Sequence, residues 1–195
     1  AILSGSPPSG NDSATKIAKY YVDKGDGLKA ALWLGGLASV GLVWWFGSLW
    51  RRMSRAENGA HRLSVVSLIG LGLGAALFLA SAAVNAAIAL RASDVGEGAR
   101  IFYTLSLVLL AGSGFGIAIH LLATNALALR SKMLPTWLGW LGVVAGLAFL
   151  LAGVFGSATD NASGLMAGFV GFIGFSVWVL GVSAVLWRDT PESAS

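Results

Sequence analysis

Five stretches of this chain run for about twenty residues or more with no acidic or basic side chain well inside them. They cover residues 28–50, 63–90, 101–129, 137–157 and 164–187. A segment of that length and apolarity is long enough to cross a bilayer at ~1.5 Å rise per residue. Lipid cannot satisfy free backbone N–H and C=O groups, so each segment must be helical. The expected fold is therefore all-α, a polytopic transmembrane bundle of five spans. Spans 63–90 and 101–129 exceed the hydrocarbon thickness and are expected to tilt or protrude.

Composition agrees. Hydrophobic residues make up 56% of the chain and charged residues 11%, against about 25% charged in an ordinary soluble domain. No charged stretch is long enough to fold as a separate soluble domain. There is no cysteine, which removes disulfides, thiolate metal sites and cysteine nucleophiles. The net charge of +4 does not indicate nucleic acid, because the basic residues sit at the ends of apolar runs, where they set topology.

Residues 1–27 read differently. "SGSPPSGNDS" is turn-like, and "SATKIAKYYVDKGDG" is expected to form a short amphipathic helix outside the cytoplasm, with Ile17, Tyr20 and Tyr21 on one side. An exposed polar lead-in is the equally simple alternative. The loop "RRMSRAENGAHR" holds four arginines and "RSKMLPT" two basic residues, whereas the other connecting loops hold only Arg91 and Arg100. By that asymmetry Arg51–Arg62 and Arg130–Lys132 face the cytoplasm, the bundle occupies 28–187, and the tail 188–195 is cytoplasmic, in a bacterial plasma membrane. Trp44, Trp45, Trp50, Trp137, Trp140 and Trp187 gather at the same boundary as an aromatic belt.

"GLGLG" and "GSGFG" lie in mid-span, without the strand a phosphate loop requires. The pairs Gly70/Gly74, Gly112/Gly116, Gly142/Gly146 and Gly164/Gly168 instead have the spacing that lets helix backbones approach closely. "GFVGFIGF" places a slanted glycine groove beside a phenylalanine ridge suited to a partner.

Polar residues inside the spans form two stripes: Ser113, His120, Thr124 and Asn125 in one, and Ser67, Ser81 and Asn85 in the other. Buried polar groups in lipid need partners, and interhelical hydrogen bonds supply them. On this reading His120 is neutral and hydrogen-bonded. The sharper readings are proton transfer, a single axial heme ligand, or a Ser113–His120 dyad. His61 lies at the membrane surface, roughly 15 Å from the depth of His120, so a bis-histidine heme is not expected. No carboxylate or cysteine lies in the spans, so no metal site is expected.

The stretches "LPTWLGWLG" and "SPPSGNDSATKIAKYY" resemble a family of uncharacterised polytopic membrane proteins, of the domain-of-unknown-function type, common in actinobacteria and related bacteria. In that family a helix precedes "PPSG", which implies that "AILSG" ends a sixth span. The resemblance implies architecture and no reaction.

The expected function is that of a non-catalytic, cofactor-free accessory or structural subunit in a larger membrane complex, with membrane lipids and other integral subunits as partners. The alternatives are a transporter or sensor with a polar pocket at His120, and a heme-binding redox subunit.

Overall fold

A computed structural model describes residues 8–94, 96–156 and 162–188. Five helices follow one another: α1 (Ala14–Ala56), α2 (Arg62–Leu90), α3 (Gly98–Ser131), α4 (Thr136–Phe155) and α5 (Ala162–Arg188). All five are long and apolar enough to cross a membrane, and no strand occurs among the described residues. The expected sixth span and the loop around Asp160 and Asn161 lie outside the described residues, as does the tail from 189.

The first expectation to change is the separate amphipathic helix. Residues 14–56 form one helix of 43 residues, about 65 Å long at 1.5 Å per residue. Ser13 caps it, its hydroxyl accepting from the Lys16 N–H at 3.3 Å. Gly25 and Gly27 each cost a helix about 1 kcal/mol, yet the helix runs through them. Tertiary packing outweighs that cost, because Ile17 and Tyr21 are buried against Ile88, Ala92, Ala99 and Tyr103. The N-terminal turns of α1 are thus held by the α2–α3 hairpin and do not form a detached element.

At its other end α1 joins a larger core. Phe46, Leu49 and Met53 pack with Leu121, Leu127, Leu138, Trp178 and Val182 from α3, α4 and α5. α3 is central and touches α1, α2 and α4, while α5 packs chiefly on α4.

Glycines set the closest approaches. α2 and α3 are antiparallel, with Gly70 and Gly74 opposite Gly116. A Cβ on Gly70 would sit 2.7 Å from the His120 backbone nitrogen, and one on Gly116 would collide with the backbone of Gly74. Gly142 makes room for the Asn125 side chain, Gly146 for Leu121 and Leu122, and Gly164 for the backbone of Gly156. Two expected positions do not behave this way. Gly112 meets only a Leu77 methyl at 3.4 Å and Gly168 only the Ala152 Cβ at 3.6 Å, both ordinary contacts. The α3–α4 approach runs instead through Gly114, whose Cβ would lie 2.9 Å from the Phe149 carbonyl oxygen. Gly112 misses it because two residues turn a helix by about 200°.

The loop from α1 to α2 is closed by Glu57. Its carboxylate accepts from the Leu63 N–H at 2.7 Å, the Ser64 N–H at 2.9 Å and the Ser64 hydroxyl. It does for α2 what an N-cap side chain does, at the positive end of the helix dipole. Burial alone would raise its carboxyl. The hydrogen bonds from Ser64 and Leu63, with His61 beside it, outweigh burial and hold it below its ordinary value.

Candidate functional site

His120 projects from the middle of α3 and is completely buried. Ser67 of α2 stands opposite it, because the Gly70–Gly116 contact fixes the register of the two helices. The Ser67 hydroxyl lies 2.8 Å from His120 Nδ1 and 2.8 Å from the Thr124 hydroxyl. Nδ1 is also 3.3 Å from the Ser67 carbonyl oxygen. The Thr124 hydroxyl donates onward to Met53 Sδ of α1 at 3.8 Å.

One proton assignment satisfies every partner in this chain. Nδ1–H donates to Ser67 Oγ, the Ser67 hydroxyl donates to Thr124 Oγ1, and the Thr124 hydroxyl donates to the methionine sulfur. Nε2 is then the unprotonated nitrogen and has no hydrogen-bond partner. Two rings enclose the imidazole edge-on, Phe46 with its centroid 5.4 Å away and Trp178 at 5.8 Å. Trp178 is tied down in turn: its indole N–H donates to Asn125 Oδ1 at 3.0 Å, while Asn125 Nδ2 donates to the Leu121 carbonyl at 2.8 Å. Trp45 completes the belt, packing edge-on against Trp178 and donating to Ser183 Oγ at 2.9 Å. Side chains from α1, α2, α3 and α5 therefore meet at one point.

The expected polar face splits in two. His120, Thr124 and Asn125 belong to this site. Ser113 does not: its hydroxyl donates to the Leu110 carbonyl of its own helix at 2.6 Å, so there is no Ser113–His120 dyad. Ser81 donates to the Ser106 carbonyl at 2.7 Å. Asn85, 18 residues or about 27 Å along α2 from Ser67, accepts from the Tyr21 hydroxyl. This second group lies toward the opposite end of the bundle, where Tyr21 and Tyr103 meet edge-to-face and Tyr103 donates to the Pro8 carbonyl at 2.7 Å. Antiparallel pairing is the reason. Moving along α2 from Ser67 to Ser81 moves the partner back along α3 from His120 to Ser106.

The sequence reading did not single out Phe46 or Trp178 for this site. Trp178 was legible as the one tryptophan of α5 far from a helix end, where a buried indole N–H needs an acceptor.

His61 is exposed at the start of α2, with a left-handed backbone (φ 48°). Among the described residues no group of three or more His, Cys, Asp or Glu could hold a metal ion.

The family model described as "Domain of unknown function (DUF4386)" matches residues 28–182. The chain belongs to the DUF4386 family. The match spans most of the bundle, including His120 and the side chains that surround it, and stops one residue short of Ser183. No curated protein and no solved structure matches the chain.

Proposed function

We propose that this DUF4386 protein is a non-catalytic, cofactor-free accessory or structural subunit of a larger membrane complex. We place it in the bacterial plasma membrane with its C-terminus in the cytoplasm, on the side of the arginine-rich loop. The observation that carries this reading is how the buried polar groups are used. Ser67, Thr124, Asn125, Ser81 and Ser106 are all engaged in hydrogen bonds within or between helices, and no charged side chain lies among them. A catalytic or ion-coupling centre in a membrane needs such a charge or an activated nucleophile. The outward ridge of α5 offers a face for another subunit. Its glycines Gly171 and Gly174 point inward at Phe149 and Ala145, while Met166, Phe169, Phe172 and Leu180 point outward.

A photo-crosslinking residue at Phe169 or Phe172, in protein extracted with mild detergent, is expected to capture a specific integral membrane partner. A chain that always runs as a lone small monomer, with no crosslink at either position, removes the reading.

One observation favours a second reading, a small-molecule sensor or transporter: the buried, unpartnered Nε2 of His120. Bare acceptors in apolar surroundings cost about 1–3 kcal/mol. A ligand donating to Nε2 would reverse that cost and alter the emission of the adjacent Trp178. His120→Gln is then expected to abolish a ligand-dependent fluorescence change while helicity is kept. Loss of fold and response together favours the packing role.

A further inference from the structure

We propose that the outward face of α1 binds one anionic phospholipid, with an acyl chain along Leu37, Val40 and Trp44 and the phosphate at Arg51 and Arg55. The positions 37, 40, 44, 48, 51 and 55 recur at intervals of three and four, so they form a single line on the helix. All six are exposed; Trp44 is 83% accessible. Along that line the chemistry changes once, from apolar side chains through Ser48 to two guanidinium groups. The distance from Leu37 to Arg51 is about 21 Å at 1.5 Å per residue. That is roughly half of a ~30 Å hydrocarbon core plus the step up to the phosphates. The stripe is thus as long as one leaflet and has the polarity of one lipid.

Gly47 sits on the same face between Trp44 and Arg51, with nothing within 4 Å of the place its Cβ would occupy. It leaves a notch at the level of a lipid's glycerol backbone. A protein helix laid against this face would meet the protruding Trp44 and then two cations. An amphiphile matches both parts in sequence, which decides between the two occupants.

The cations are available because the local acid is engaged. Glu57 is the only carboxylate in the α1–α2 loop, and its oxygens are taken by the N-terminus of α2. Among the described residues no ion pair engages Arg51, Arg55, Arg62, Arg130 or Lys132. Arg52, one position round the helix, is turned inward and donates from Nε to the Met133 carbonyl at 2.7 Å, which fixes the end of α1 and so the line of Arg51 and Arg55. The other end of α1 has cations too, but Lys16 pairs with Asp12 at 2.8 Å and Lys29 with Asp26 at 3.1 Å, and Asp23 lies between Lys19 and Lys24 in the sequence.

The test uses the full chain in a neutral detergent, titrated with phosphatidylglycerol or phosphatidylcholine and read by native mass spectrometry. Phosphatidylglycerol is expected to be retained at least about tenfold better. A basic side chain near an anionic headgroup contributes about 1 kcal/mol. Arg51→Gln/Arg55→Gln should therefore remove the preference, a loss of at least about tenfold, and Lys19→Gln/Lys24→Gln at the far end should leave it unchanged. Gly47→Leu, which fills the notch, should lower retention of both lipids. Should the double variant misfold, salt decides with the unaltered chain: the preference must fall steeply between low and high ionic strength. Equal retention of the two lipids, a salt-independent preference, or equal loss in the two double variants overturns the proposal.

Discussion

Where α1 ends, Phe46, Leu49 and Met53 sink into a cluster that includes Leu138 and Trp178; where it begins, Ile17 and Tyr21 meet a smaller set, Ile88, Ala92, Ala99 and Tyr103. The charges differ in the same way. Among the described residues the Lys16 end carries six basic and five acidic side chains, so it is nearly neutral, and three ion pairs occur there. Among the described residues the Arg51 end carries seven basic side chains against the single carboxylate of Glu57. The large cluster is an apolar anchor sealed by buried hydrogen bonds, and of its cations on α1 it turns Arg52 inward while Arg51 and Arg55 face outward. The small cluster is a zipper of tyrosine hydroxyls and compensated surface charge. A helix as long as α1 is clamped at both ends, with its middle turns exposed.

If that contrast is right, cutting the large cluster must cost more. Trp178→Ala is expected to lose about 3–5 kcal/mol, since the indole is fully buried and its N–H partner Asn125 is stranded. Ile17→Ala should lose nearer 2 kcal/mol, at the low end of the aliphatic range because its cluster has fewer members to strand and the deletion breaks no hydrogen bond. Steric-trap or denaturant unfolding in micelles measures both. Equal costs would break the comparison.

Hydrogen bonds sharpen it at the next level. Ser67→Ala removes the link that joins His120 to Thr124 and should cost about 1–3 kcal/mol. Tyr21→Phe removes one bond to Asn85, which keeps its own donor bond to the Ser81 carbonyl. A loss near 0.6 kcal/mol is expected there, as for a typical interhelical bond in a membrane. A Ser67→Ala/Thr124→Val double-mutant cycle should be strongly non-additive, whereas Ser67→Ala with Tyr21→Phe should add.

The smallest effect separates the carboxylates of the two ends. Glu57 has a folded value below its ordinary 4.5. The stability it contributes is present above the ordinary value and is lost as pH falls through the lowered one. Thermal stability should thus drop slightly in the native chain as pH falls below about 4.5, by less than about 1 kcal/mol after screening. In Glu57→Gln that drop should be reduced. Asp12 is also lowered, first by the Lys16 side chain and then by the Ser9 backbone, but Lys16 is itself largely exposed and the pair is screened by solvent, so Asp12→Asn should reduce the acid drop less than Glu57→Gln does.

Much of the architecture was readable in advance because the bilayer imposes it. Runs with no charge had to be helices, and four of the five helices begin and end within a few residues of their apolar runs. The exception, α1, extends 14 residues upstream because Ile17 and Tyr21 found partners that no local pattern announces. Close approach at Gly70, Gly74 and Gly116 followed from small-residue spacing. The ordinary contacts of Gly112 and Gly168 show that spacing names a candidate face but not which neighbour arrives there.

The candidate site divides along the same boundary. Taken alone, the chain already marked His120 as a titratable side chain deep in an apolar span, with Thr124 one turn away, since helical periodicity is a local property. Only packing decided that Ser67 would bridge them, that Ser113 would turn to its own helix, and that Asn85 would serve the opposite end. Those outcomes depend on the register between α2 and α3. That register is set by backbone contact at Gly70, Gly74 and Gly116, where a shift of a single residue would drive a side chain into the facing helix.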